Sequence, residues 1–460
     1  MLPTQLGALV ADPAPGVSEA LDVAGSLDHA LADGLARMSP SALAGFADAF
    51  SGSPLRDRVA EAVDKIAAGS VSDEHLLALA GARSALFGAV HDALLGQADA
   101  ALGRTRAAVG NLPGGTGEAA SAGNLLAGSR SWLRELAITG WRGVDHDLVT
   151  AAGQVIEASL AQPRLRRLAT LLDGLAAELR ACSPIATMDR LPVRRWGDLW
   201  SRAMLLAQDG GRGTPAAPVT GRLLLLGADV HEHATAVQVQ VHGILEAPGA
   251  APRLVRTSVA APKVDTIVGP AVWRLFAAHP VLLGALAERL TLDVTDMPLL
   301  AGGDLVWSDA LAKAGPPADP FATARVLLAD ATAPPVPPLE RHPARIGEPV
   351  LVEGYTAADG AFTLADQKIT VDTGRLPACG PLTPQLVAAS HACIGLLRWD
   401  DGGWSLQPLA VLTMVKRQPV AAHTTDWALG PTDPKVVKAA AAAGDAVAVL
   451  RERAGRLLRK

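Results

Sequence analysis

Ala236-Val-Gln-Val-Gln-Val-His-Gly-Ile-Leu245 is the stretch that decides how this chain is read. Val237, Val239 and Val241 fall on one face of an extended backbone; Gln238, Gln240 and His242 fall on the other. That two-residue period is the signature of a half-buried strand. Arg222 to Leu226 and Arg253 to Val259 flank it as further strands, whereas upstream of about residue 210 the apolar residues recur at helical spacing. The switch of period predicts a multi-domain α+β protein with a helical half followed by a half built mainly on strands.

The helical half, 1–208, carries capping signals. Ser39-Pro40 and Ser53-Pro54 each place a hydroxyl before a proline at the first helical position. A long helix is expected from Ser72 past Ala100, then others near Leu125 to Leu136, Leu148 to Leu160 and Leu165 to Cys182, with a break at Gly110 to Gly117. In the mixed β/α domain, 219–314, Gly269-Pro270 opens a helix through Trp273 and Phe276, and Leu292 to Val294 and Asp304 to Trp307 return to the sheet. That order also permits a barrel. Prolines crowd 315–345, which is expected to be a linker with one short helix at Phe321 to Leu328.

Residues 346–417 read as three strands, a helix and two strands, with turns at Asp359-Gly360 and Asp400 to Gly403. That order is the order of an OB-fold barrel, and "IGEPVLVEGY", "DGAFTLAD" and "KITVD" resemble its first three strands. The resemblance implies a topology and supplies no functional motif. A basic C-terminal helix is expected within 432–460. Lys435, Lys438, Arg451, Arg453, Arg456, Arg459 and Lys460 stand there against Asp433, Asp445 and Glu452, a bias that also complements the helix macrodipole.

At 49% hydrophobic and 19% charged residues the chain of 460 has material for several cores. The Ala, Gly, Pro and Arg bias is a signature of a GC-rich, bacterial source. Net charge is -5, an unfavourable balance for a protein living on phosphate contacts. Three cysteines, Cys182, Cys379 and Cys393, form no CxxC pair and fit a reducing compartment. With no secretory signal and no run of about 18 uncharged apolar residues, a cytoplasmic protein away from membranes is expected.

Four constellations compete with blander readings. His231 and His233 project to one face of a strand and, with His242, could hold zinc or iron; a polar hairpin turn accounts for the same residues. His391 and Cys393 lack a third orienting group for nucleophilic catalysis. The Gly-rich segments 110–117 and 210–213 lack the Gly-Lys-Ser/Thr of a phosphate loop, and no cofactor is expected. Tyr355, Lys368, Arg398 and Trp399, with Arg451, Arg453 and Arg456, could track single-stranded nucleic acid, although acids outnumber bases in 346–417.

Arg194, Arg195, Trp196 and Trp200 could form a docking surface, since Trp and Arg dominate interfaces. Trp196 and Trp200 are also one helical turn apart and could anchor a core. The tract Arg190-Leu-Pro-Val-Arg-Arg-Trp-Gly-Asp-Leu-Trp200 is similar to proteins of high-GC bacteria encoded beside MoxR-type AAA ATPases and SWIM zinc-finger proteins. The resemblance implies protein partners within an AAA ATPase system and lends no active-site residue. The expectation is therefore a non-enzymatic interaction or scaffold subunit. A single-stranded nucleic-acid binder and a metal-dependent enzyme centred on His231 and His233 are the alternatives.

Overall fold

Ser72 starts the longest helix of the chain, α5 (Asp73–Leu102): its hydroxyl accepts from the His75 N–H at 3.3 Å, and Gly103, at φ 68°, ends it. The computed structural model describes residues 1–37, 43–106, 123–209, 216–233, 235–331, 333–400, 402–443 and 446–457. Before α5 come α1 (Pro3–Val10), α2 (Val17–Asp33), α3 (Ala44–Asp48) and α4 (Arg56–Ala67). After it come α6 (Gly123–Thr139), α7 (His146–Thr150), α8 (Gly153–Leu160), α9 (Arg166–Ala181) and α10 (Val193–Asp209). The Ser39-Pro40 cap and both Gly-rich segments lie outside the described residues.

α5 is buried along its whole length because it serves two cores. Leu76, Leu79, Ala80 and Ala82 join the helical core, while Ala98 and Ala101 sit among strand residues of the C-terminal half. Leu6 and Leu9 of α1 also leave the helical half and pack with Val350, Phe362 and Leu397.

The first sheet is built from β1 (Ala216–Glu232), β2 (Ala236–Glu246), β3 (Arg253–Pro262), β4 (Leu290–Leu300), β5 (Asp304–Leu305) and β6 (Ala312–Pro317). A 3₁₀ segment, Gly269–Phe276, and α11 (Pro280–Glu288) lie between β3 and β4. β1 pairs antiparallel with both β2 and β4; β2 pairs with β3, β3 runs parallel to β5, and β5 returns to β4. The pairings thus run in a circuit, with β6 beyond β4.

α12 (Pro320–Leu327) follows, in the segment expected as a linker, and buries Phe321 completely. The second sheet contains β7 (Glu348–Glu353), β8 (Thr356–Ala358), β9 (Ala361–Leu364), β10 (Gln367–Val371), β11 (Ser390–Asp400), β12 (Gly403–Val415) and β13 (Gln418–His423), with α13 (Pro384–Ala388) before β11. Its order is β7-β11-β12-β10-β9-β8, with β10 parallel to β12 and β13 paired to β12 alone. β7 and β8 are consecutive, separated by Gly354 at φ 72° and Tyr355. Two C-terminal helices, α14 (Pro434–Ala443) and α15 (Ala446–Leu457), stand where one was expected.

The two sheets pack directly together. Leu224, Leu226 and Ile244 of the first meet Ile394 and Ala410 of the second, with Phe321 and Leu328 filling the seam. Gly227 lies in this contact, in a stretch where the β1–β2 register shifts. A Cβ there would stand 2.9 Å from the Leu409 Cβ, so β1 passes β12 only without a side chain.

Candidate functional site

The Arg/Trp tract becomes the start of α10, and its tryptophans turn inward. Trp196 and Trp200 are wholly buried in the helical core. Trp200 Nε1 donates to the Leu133 carbonyl at 2.9 Å, Trp196 Nε1 donates to Glu178 at 3.0 Å, and the Trp196 ring meets Trp141 edge to face. The expectation of a docking surface on these rings is corrected: the apolar face of α10 points at α2, α5, α6 and α9, so the rings anchor the bundle. Arg194 and Arg195 stay exposed; Arg195 pairs with Glu178, which holds its guanidinium pKa above the ordinary value.

Beneath them lies a buried ionic core. Arg83 donates to Asp28 through two nitrogens, at 2.6 and 3.1 Å, and to the Arg194 carbonyl at 2.9 Å, and its guanidinium lies over the Phe87 ring. Asp198 stands 3.7 Å from Arg83 and from His342 of the 338–345 segment, and pairs with Arg202. Burial works against its charge, yet Arg202, His342 and Arg83 hold the Asp198 carboxyl below its ordinary value. The His342 ring stacked on Phe87, and Arg341 paired with Asp92 at 3.0 Å, tie the 338–345 segment to the helical half.

The histidine candidates separate. His231 and His233 stack edge to face, with ring centroids 4.7 Å apart, at the β1–β2 hairpin. The register places His242 opposite Gly227, four residues along β1 from His231. Among the described residues, no group of three or more His, Cys, Asp and Glu gathers as a metal-ligand set. His242 is buried although it belongs to the polar face of β2, because residues 333–336 and the start of β7 stand against it. Burial, then Arg256 and Arg398, push its pKa well below the ordinary histidine value.

The residues expected to hold nucleic acid do not form a stacking face. Tyr355 lies against Phe362, ring centroids 3.7 Å apart, and shares a 2.6 Å hydrogen bond with Ser390; burial raises its pKa. Trp399 is buried among Val17, Val90, Leu94 and Ile346, because α5 lies across the sheet at that point. Arg398 donates to Asp229 at 2.9 Å and to Gln407 at 2.9 Å, and Gln407 donates to Asp229 at 2.7 Å. This triad joins β1 to β11 and β12. Lys368 and Arg453 are exposed; the side chains of Arg451 and Arg456 lie outside the described residues. His391 is exposed while Cys393 is buried in the sheet core, where burial raises its thiol pKa.

An apolar groove lies open beside the first sheet. It has a volume of about 640 Å³ and lies between the 3₁₀ segment and α11 on one side and residues 428–431 and α14 on the other. Val268, Pro270, Trp273, Leu283, Leu429 and Val436 line it. Val268 is 62% and Leu429 60% exposed, a large exposure for two apolar residues lining one cleft. Each precedes a Gly-Pro pair, Gly269-Pro270 and Gly430-Pro431, but the same apolar-Gly-Pro motif also occurs at Ala314 and Cys379, neither of which lines the groove, so no local signal singled it out. Its walls are fixed: Trp273 Nε1 donates to the Cys379 carbonyl at 2.9 Å, and Ala428 and Val447 are buried in the first sheet's core.

Among the described residues no helix is long and apolar enough to cross a membrane. Comparison of the chain with protein-family models, with curated proteins and with solved structures finds no match.

Proposed function

We propose that this chain is a non-enzymatic interaction subunit of a bacterial cytoplasmic multi-component assembly, and that it holds an acidic amphipathic helix of a partner protein in the groove along α14. The observation that carries the reading is the groove itself: about 640 Å³ of cleft, apolar in its walls, with Val268 and Leu429 open on opposite lips. A helix laid in such a groove buries its apolar face there. Lys435 and Lys438 on α14, within a C-terminal stretch of net positive charge, favour acidic residues on the partner's other face. An AAA ATPase system is the first place to seek that partner.

We read both sheets as carrying the strand order of an OB fold. In the first, β1, β2 and β3, a helix, β4 and β5 follow one another, with β3 parallel to β5 and β6 added at the edge. In the second, β7 and β8 together take the place of the first strand, so that β10, the third, runs parallel to β12, and β13 is added. OB barrels bind oligonucleotides and also serve as assembly modules, so the analogy alone does not choose. The inward position of Tyr355, Arg398 and Trp399 favours the second use.

Co-purification from the native source tests the proposal. A partner retained in fixed stoichiometry by the wild type and released by the folded double variant Val268→Asp with Leu429→Asp is the expected result. Retention of the same partner by the double variant, or a chain with no retained protein, overturns it.

A further inference from the structure

The β12–β13 hairpin closes with a two-residue turn, since Val415 pairs with Gln418. Lys416 and Arg417 fill its centre at φ of 49° and 67°. Such turns require left-handed backbone at both positions, which Asn and Gly adopt most easily. Two long cationic side chains there hold strain at an exposed tip, where a functional constraint is worth seeking. The flanking residues are apolar and open: Met414 is 56%, Val415 50% and Val420 44% exposed. No carboxylate occurs from Ser405 to Thr425. The β13 edge itself is a poor template for another strand, because Pro419 lacks an N–H and the His423 N–H donates to Asp426. Side chains at the tip must do any docking.

A socket of matching chemistry lies on the helical half of the same chain. The groove between α4 and α5 has a volume of about 760 Å³, with Val59, Leu77 and Leu205 among its apolar walls. Its charged lining is Glu61, Asp73 and Glu74 against Arg58 and Arg130; His75 there keeps its Nδ1 on the Ser70 carbonyl. Asp73 is taken by Arg130 and Arg134, whereas Glu61 and Glu74 form no ion pair among the described residues.

We propose that copies of this chain assemble head to tail, the hairpin tip Met414–Val420 of one copy seated in the α4–α5 groove of the next, with Lys416 and Arg417 meeting Glu61 and Glu74. Because tip and groove are different patches, the contact is heterologous and propagates into a ring or a filament. A lipid surface fits the tip poorly, since its two cations would enter the apolar layer first. The contact uses none of the residues lining the α14 groove, and its test needs the purified chain alone, so its failure leaves the partner-binding reading untouched.

Sedimentation velocity over a wide concentration range, at low and high salt, tests the proposal. The wild type forms larger species as concentration rises, and salt weakens them. K416E/R417E and E61K/E74K each sediment as monomers, and mixing them restores assembly, since each tip then faces a groove of opposite charge. K416N/R417G, which suits the turn better, folds and stays monomeric, separating loss of docking from loss of structure. A wild type that is monomeric throughout, or a mixture of the two charge-reversed chains that fails to assemble, overturns the proposal.

Discussion

Lowering the pH from 7 to 5 should loosen the joint at His342. Its ring lies on Phe87 with centroids 4.6 Å apart, its Nδ1 accepts from the Ala344 N–H at 3.2 Å, and its Nε2 is 3.7 Å from Asp198. Burial first, with Arg83, Arg202 and Arg345 adding to it and Asp198 opposing, brings its pKa from 6.5 to about 4. Between those values the unfolded chain binds a proton that the folded chain does not. Stability is therefore intact above pH 6.5, falls by about 1.4 kcal/mol per pH unit through the window, and has lost roughly 3 kcal/mol at its lower end. His423, brought to about 4 chiefly by burial, and His242 act with the same sign. Asp198 and Glu348, held below their ordinary 3.8 and 4.5, lose stability only in more acid solution, and Asp28, raised mainly by burial, works in the opposite sense. Comparison with a His342 variant isolates the His342 contribution from these other groups. Urea unfolding of the wild type and His342→Gln from pH 6.5 to 5 reads the effect. The variant's stability should depend on pH less steeply by about 1.4 kcal/mol per unit, whatever its stability at pH 7. Parallel dependences would refute the reasoning.

Trp200→Ala should cost about 3–5 kcal/mol in denaturant unfolding, as loss of a fully buried ring and its hydrogen bond requires; a change under about 0.5 kcal/mol would restore the surface reading. Gly227→Ala, whose new methyl would crowd Leu409, should destabilise by about 1–3 kcal/mol. A thermal melt unchanged from the wild type would contradict the close passage of β1 and β12. Asp229→Ala leaves Arg398 and Gln407 without their shared acceptor at the seam of the two sheets and should cost about 3 kcal/mol. Faster amide exchange in β1, β11 and β12 is the accompanying signature.

Local signals carried far in the sequence. The Ser72 cap, the Val-Gln alternation of 237–241 and the turn at Asp359-Gly360 each specify their element without help from distant residues. The distribution of side chains between core and surface was less legible. Periodicity says which residues share a face, not what covers it. His242 falls on the polar face of β2 and is buried because residues 333–336 and the start of β7, far along the chain, stand against it. Trp196 and Trp200 at one-turn spacing suit a core or an interface equally, and the neighbours that decide come from α2, α5, α6 and α9. The α14 groove needed three separate segments to meet, and no local pattern in any one of them could announce it.

Amide hydrogen exchange of the chain with and without its co-purified partner bears most directly on the interaction reading. Slowed exchange confined to 266–283 and 428–439, the two walls of the groove, is the predicted result. Protection elsewhere, with those walls exchanging as in the free chain, would contradict it.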